Sequence, residues 1–499
     1  MKYFLPADKL YQLSEFLSKA TALYFPKDQW HNLEQKIISA AKEFDFTDAV
    51  KFIDWLVTRH LNINEMEILT SHLTTTETYF WRENDVFNAL EKNILPELIR
   101  SRQNKEKNIR IWSAGCSTGE EPYSIAMALH RTIQNIKEWN ITLLATDINP
   151  RILRKAQRGS YGKWSFRGVP DWLINDYFIS DGKGAYELLP EIKKMVDFQY
   201  LNLAECSFPS PLNNTNAMDI IFCRNVMMYF SPEKSEQVSN AFSHSLIDNG
   251  HFIVSSSELS FPFLSRFRTV NFPNSIVYQK DHNKTLPEKA IYEPIKGHVK
   301  TQQIPIRKTT IIKPVKYEEP AIKRTVSNIT RIAVPQKTNY EAALELYTKG
   351  SYNEAVQRLE NSHSSEEIIL KIRSLANLGK LKESAAICEQ AIFNDKLNPK
   401  LYYLLAVILQ EHNQVNESII ALKRVIYLDP DFVLSYYTLG NIYYRIGNSI
   451  SANKCFTNVL SIINRVDAET IIPESEGLTA GRLKDIVSQT INIGVFDEE

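Results

Sequence analysis

The chain has 499 residues, 43% hydrophobic and 23% charged; such a composition folds, and the length exceeds what one core serves, so about two to four domains are expected. Its 58 basic and 58 acidic residues cancel, which leaves no cationic footprint for duplex nucleic acid. Charges interrupt the opening MKYFLPADKLYQL and no run of about 18 apolar residues follows, so neither a leader nor a membrane span is expected.

Residues 1–75 carry helical signals only. Phe46, Val50, Ile53, Trp55, Leu56 and Val57 fall at helical spacing between Phe44 and Leu61, with Thr47 as the expected N-cap. The connection Thr74-Thr-Thr-Glu-Thr-Tyr-Phe-Trp-Arg82 follows, and on composition alone Arg82 reads as a surface residue.

Past about residue 108 the period changes. Ile109–Ala114, Ile141–Thr146, Val196–Leu201, Met218–Cys223 and His251–Ser257 read as strands; Glu121–Ile136, Pro150–Gln157 and Pro232–Ile247 read as helices. Strands alternating with helices predict a parallel sheet that binds ligands at the carboxyl ends of its strands. The first strand runs into Gly115-Cys-Ser-Thr-Gly119, where glycine lets the backbone approach a ligand and Gly115 is the candidate contact. This loop lacks GxGxxG spacing and a P-loop lysine, so a ligand without phosphates suits it better, and a bare strand–helix turn is the alternative. Asp147 ends the second strand, where a carboxylate can accept both ribose hydroxyls of a nucleoside or cap the helix entered through Pro150. Phe222-Cys-Arg-Asn-Val-Met-Met-Tyr-Phe230 places Arg224 and Asn225 at the edge of a buried strand, with Tyr229 able to return to the same cleft. The Met227–Met228 pair reads as packing.

Asp281–Thr338 holds six prolines and 12 basic against five acidic residues, and reads as an extended linker. From Asn339 a helical repeat appears: Gly379, Asn413 and Gly447 are 34 residues apart, and Tyr436, Leu439, Gly440, Tyr443, Ala452 and Phe456 occupy tetratricopeptide positions. An earlier unit, centred on Gly350 and Ala355, is about five residues short. Five scattered cysteines without CxxC spacing (Cys116, Cys206, Cys223, Cys388, Cys455) suit a reducing cytoplasm and argue against a zinc site.

LTTTETYFWRENDVF, IRIWSAGCSTGEEPYSIAMAL, LLATDINPRILRKAQRGSY, YLNLAE and MDIIFCRNVMMYF together resemble the chemotaxis-receptor methyltransferase (CheR) family over roughly residues 10–280, in its order and spacing. The resemblance implies S-adenosylmethionine as cofactor, S-adenosylhomocysteine as product, and glutamate side chains of a chemoreceptor as acceptors. It implies cofactor contacts at Thr76, Thr78, Arg82, Glu121, Asp147, Asn202, Leu203, Arg224 and Asn225, and places Arg82 and Tyr229 beside the reacting groups. Thr76 departs from the asparagine of the best-known members. The family's antiparallel hairpin subdomain would be built here from 181–186 and 196–201. The repeats, and the ending Glu476-Gly-Leu-Thr-Ala-Gly-Arg-Leu-Lys484, resemble a branch of the family.

The expected architecture is therefore multidomain: an all-α domain (1–75), a Rossmann-like α/β methyltransferase domain with a small β-subdomain (76–280), the linker (281–338), an α-solenoid of repeats docking a protein partner (339–464) and a tail (465–499). A carboxylate is already ionised at neutral pH, so its methylation needs alignment and exclusion of water without a general base. There is no Pro-Cys for cytosine C5 methylation and no Asn/Asp-Pro-Pro-Tyr/Phe for base amino groups. Two other readings stand beside the main one: a cofactor-binding sensor or scaffold, which the intact Arg82, Asp147, Arg224, Asn225 and Tyr229 set disfavours, and methylation of a different protein or a small acid.

Overall fold

The computed structural model describes residues 5–281, except 60, 75–76, 105, 211–212 and 260, and residues 338–494, except 363 and 476–477. Thr76 and nearly all of the expected linker lie outside the described residues.

Four helices open the chain: α1 (Ala7–Thr21), α2 (Trp30–Glu43), α3 (Ala49–Val57) and α4 (Ile63–Leu73). Leu10, Leu13 and Leu17 lie on one face of α1 at i, i+3 and i+7, and bury fully against Leu33, Ile37, Phe52 and Leu56. Removing such a leucine from water stabilises by about 1.5–3 kcal/mol. The cap of α3 is Asp48, whose carboxylate accepts from the Val50 and Lys51 amides, and not Thr47. A carboxylate one residue nearer the helix outcompetes the hydroxyl for these free N–H groups.

Helices α5 (Asn84–Ala89) and α6 (Leu95–Arg102) lead into the α/β domain. There β1 (Asn108–Ala114), α7 (Glu120–Thr132), β2 (Asn140–Asp147) and α8 (Pro150–Arg158) alternate as expected. The strands β3 (Ser160–Gly162), β4 (Phe178–Ser180) and β5 (Ala185–Leu188) form a separate antiparallel sheet in the order β3-β5-β4. Next come β6 (Val196–Tyr200), β7 (Met218–Phe222), α9 (Pro232–Ser245), β8 (Leu246–Ile253), β9 (Arg268–Phe272) and β10 (Ser275–Gln279). The main sheet has the order β6-β2-β1-β7-β8-β10-β9. Its first five strands are parallel, and β10 is antiparallel to both neighbours.

Two expectations are corrected here. The 196–201 segment pairs with β2 in the main sheet, so the small sheet is built without it, and 181–184 form the turn between β4 and β5. The final β9–β10 hairpin was not anticipated. Its β9 strand is largely exposed and lacks the apolar run that marks buried strands.

The repeats form four antiparallel helix pairs: α10 (Asn339–Thr348) with α11 (Tyr352–Arg358), α12 (Ser365–Asn377) with α13 (Leu381–Asn394), α14 (Pro399–Glu411) with α15 (Val415–Leu428), and α16 (Val433–Arg445) with α17 (Ser449–Ile463). The period shows in the bonding: the Ser384 hydroxyl donates to Ile372 O (2.9 Å), and 34 residues later the Ser418 hydroxyl donates to Ala406 O (2.8 Å). The segment expected to be a tail instead forms α18 (Ala480–Gly494), and Ala480, Leu483 and Val487 join the core of the last repeat. That apolar face covers what would otherwise be an exposed end of the array.

The repeats also rest directly on the α/β domain. Glu411 is buried there; its Oε1 accepts from Asn216 Nδ2 and its carbonyl from Asn140 Nδ2, both at 2.9 Å. Arg445 pairs with Asp197 at 2.9 Å, and Arg482 with Glu205 at 2.7 Å. Free reach on a tether, the expected geometry, is thus replaced by a polar interface. Among the described residues no helix is long and apolar enough to cross a membrane.

Candidate active site

The strand order reverses at β1: β2 and β6 lie on one side, β7 and β8 on the other. Such a switch point opens a crevice at the carboxyl ends of the strands. Gly115 leaves β1 there with φ +77°, and a Cβ on it would meet Val226 Cγ2 at 2.4 Å. Only glycine lets the loops after β1 and β7 touch.

One cavity at this crevice is lined by every described residue that the sequence put forward: Thr78, Arg82, Gly115, Glu121, Asp147, Asn202, Leu203, Arg224, Asn225 and Tyr229. Asp147 is set by the β1 loop, with Oδ2 accepting from Ser117 N and Oδ1 from Asn149 N, both at 2.9 Å. Asn149 caps the following helix by accepting from the Arg151 and Ile152 amides. Helix capping is therefore not the role of Asp147. Burial raises its carboxyl pKa, against the opposing pull of these amide donors.

Glu121 lies one residue into α7 and accepts from Ser113 Oγ at 2.7 Å and from Arg224 Nη1 at 3.2 Å. Burial pushes its carboxyl up and the Arg224 guanidinium pulls it back. Arg224 is buried, and it also donates to Arg82 O at 2.7 Å. Its fork thus ties the Arg82 backbone to the first helix of the sheet. Arg82 itself is half-buried, with Nη1 donating to Glu77 O at 3.2 Å. Its two neighbours, Trp81 and Glu83, have φ of +57° and +60°. Side chains other than glycine rarely adopt this conformation, at about 1–3 kcal/mol each, and it persists only where surrounding contacts enforce it. Asn225 (φ +59°) and Ser117 (φ +50°) add two more left-handed residues to the same cavity.

Sequence reasoning missed two parts of the cleft. The first is Glu258, fully buried, whose carboxylate accepts from the amides of Asn225 (2.9 Å), Val226 (3.1 Å), Met228 (3.2 Å) and Ser255 (3.1 Å). It shapes the loop that carries Arg224, Asn225 and Tyr229. The signal was present as Ser255-Ser-Ser-Glu258, a capping box at the end of a buried strand. The second is the N-terminal domain, which supplies a wall through Thr21, Leu23, Tyr24, Phe25 and Lys36. Tyr24 N donates to Tyr229 O at 2.7 Å, so this wall also braces the Tyr229 loop. Burial lowers the Lys36 pKa.

A family model described as CheR methyltransferase, SAM binding domain, matches residues 76–276, and a tetratricopeptide-repeat model matches 399–432. A chemotaxis protein methyltransferase of Borreliella burgdorferi is 35% identical over 228 residues, covering 45% of this chain and 79% of that protein. The chain belongs to the CheR methyltransferase family. Chemotaxis protein methyltransferase 2 of Vibrio cholerae is 28% identical over 278 residues, 55% of this chain and 94% of that protein. A probable chemotaxis protein methyltransferase of Rhizobium etli is 34% identical over 194 residues, 38% of this chain and 70% of that protein.

This CheR-family chain is accordingly an S-adenosylmethionine-dependent methyltransferase, with repeats added to a catalytic unit that spans nearly the whole Vibrio cholerae relative. The cleft suits such a cofactor. It offers a buried carboxylate for ribose hydroxyls, a glycine-lined approach and apolar surface from Ile148, Ile152, Leu203 and Val226 for a base.

Proposed function

We propose that this enzyme methylates glutamate side-chain carboxylates of a chemoreceptor or related signalling protein, forming glutamate methyl esters, in the cytoplasm. The observation that carries this reading is Arg82, held by a constrained backbone in the wall of the cavity that contains Asp147. S-adenosylmethionine supplies an electrophilic methyl group on a sulfonium. The chain's task is to hold an ionised carboxylate in line with it and to keep water away. Arg82 orients that carboxylate with a charged fork, and Tyr229 adds a neutral hydrogen bond that leaves the nucleophile reactive. Asp147 takes the ribose hydroxyls, while Thr76, Thr78, Gly115, Glu121, Asn202, Leu203, Arg224 and Asn225 form the rest of the cofactor site. Residues 1–75 roof this site, 76–280 carry it, and the repeats hold a protein partner near it.

The decisive assay incubates the enzyme with labelled cofactor and receptor-containing membranes, then adds alkali. Release of labelled methanol identifies carboxyl esters; base-stable label would defeat the assignment. For the cofactor, Asp147→Ala is expected to weaken S-adenosylhomocysteine binding by about 1.5–3 kcal/mol, the worth of hydrogen bonds to a charged acceptor. Calorimetry giving unchanged affinity in a folded variant would remove Asp147 from the site.

A further inference from the structure

The C-terminal segment 476–484, Glu-Gly-Leu-Thr-Ala-Gly-Arg-Leu-Lys, has so far had no task. Its described residues nonetheless have individual structural reasons. Thr479 Oγ1 accepts from Arg482 N at 3.3 Å at the start of α18. Ala480 and Leu483 are buried in the repeat core. Gly481 N donates to Ala468 O at 2.8 Å, and a Cβ at that position would meet the Ala468 carbonyl at 3.1 Å. The segment therefore fixes a helix, and the residue that helix directs at the α/β domain is Arg482.

We propose that Arg482 is a positioning residue for the cofactor cleft, acting through Glu205 and Asn202. Arg482 Nη2 lies 2.7 Å from Glu205 Oε1 and donates to the Tyr200 hydroxyl at 3.1 Å, with the guanidinium 5.0 Å from the Tyr200 ring centre. The same Glu205 oxygen accepts from Asn202 Nδ2 at 3.1 Å. Asn202 is buried, and its carboxamide also donates to Ala20 O at 2.8 Å and accepts from Ala204 N at 3.0 Å. Ala20 belongs to the last turn of α1. Just beyond it Thr21, Leu23 and Tyr24 line the cleft, and Tyr24 holds the Tyr229 carbonyl.

Tyr200 is the last residue of β6 and sits in register with Asp147, and Leu201 N donates to Asp147 O at 3.1 Å. One guanidinium therefore fixes two routes into the cleft, one to its N-terminal roof and one to its ribose carboxylate. A partly exposed ion pair contributes little by itself. Here both partners are already held by secondary structure, so little entropy is lost, and the fork reaches acid and phenol together.

The inference rests on reading this cleft as the cofactor site, and the test separates the two. In the full chain, Arg482→Ala is expected to raise the dissociation constant for S-adenosylhomocysteine, and KM for the cofactor, by about fivefold, with kcat at saturation within about twofold, as for a lost charge-assisted hydrogen bond acting at second hand. Arg482→Lys should recover part of this. Arg482→Ala combined with Glu205→Gln should be no worse than Arg482→Ala alone, because the two act in one chain. Unchanged cofactor affinity in Arg482→Ala, or a fall in kcat and melting temperature without a KM change, overturns the proposal. If Asp147→Ala still weakens binding in that case, the cleft reading stands and Arg482 alone fails. If neither substitution changes affinity, the cleft reading fails with it.

Discussion

Replacing Arg82 with alanine is expected to lower methyl transfer by about 10²–10³-fold, the scale of removing one preorganised charged donor from a catalytic site. The fold should not register the loss. Arg82 is half-buried and its one printed protein bond, to Glu77 O at 3.2 Å, is long for a neutral acceptor. The interactions that hold the segment belong to its backbone: Arg224 donates to the Arg82 carbonyl, and Trp81 N donates to Ser124 Oγ at 3.0 Å. Activity and melting temperature should therefore part company. Arg82→Lys should fall between, since an ammonium keeps the charge but not the two-point fork. Turnover near that of the parent in Arg82→Ala would return this residue to a surface role.

What the sequence disclosed and what it withheld divide along physical lines. The buried parallel strands β1, β2 and β7 were legible because two-sided burial writes an unbroken apolar run, as in Met218–Phe222. The cleft loops were legible because polar residues such as Arg224 and Asn225 at the end of such a run have no packing reason to be there. The antiparallel β9 was not, because its side chains are largely exposed and its residues are set by the pairing with β10. The N-terminal wall was hidden for a different reason. Amphipathic spacing in α1 reports that one face is buried, and says nothing about Tyr24 reaching Tyr229 across some two hundred residues of chain. The contact of the repeats with the sheet edge was hidden in the same way: Glu411 looks like any solvated helix-end acid until Asn216 and Asn140 are found against it.

That contact changes what truncation should do. A chain ending near Lys280 keeps the unit that spans nearly all of the Vibrio cholerae relative and is expected to fold. Yet it loses the partners of Asp197, Glu205 and Asn216. Cofactor affinity should drop by about the same fivefold factor as in Arg482→Ala, because the lost contact is the same one. A full loss of folding would instead make the repeats structural parts of the enzyme.

The largest effect on the site's architecture is expected from Glu258. Four amides and the Ser255 hydroxyl converge on its carboxylate in a place closed to water. Glu258→Ala removes the acceptor and leaves those donors buried, and each such group costs about 1–3 kcal/mol when unsatisfied. Allowing for relaxation, a loss of about 3–5 kcal/mol is expected, a large share of the roughly 5–15 kcal/mol that holds a domain together. The damage should be local before it is global. Asn225 keeps its left-handed backbone only while its amide and those of Val226 and Met228 are gripped, so the loop carrying Arg224 and Tyr229 should relax first. Glu258→Gln distinguishes charge from shape: its carbonyl oxygen serves one pair of amides, while its NH₂ group faces the other pair donor to donor. It should therefore bind S-adenosylhomocysteine at least tenfold more weakly, about 1.4 kcal/mol, and melt earlier than the parent. A Glu258→Gln enzyme with parental affinity and melting temperature would show that the loop holds its shape without the carboxylate, and that its geometry comes instead from the Tyr24 contact on the opposite side.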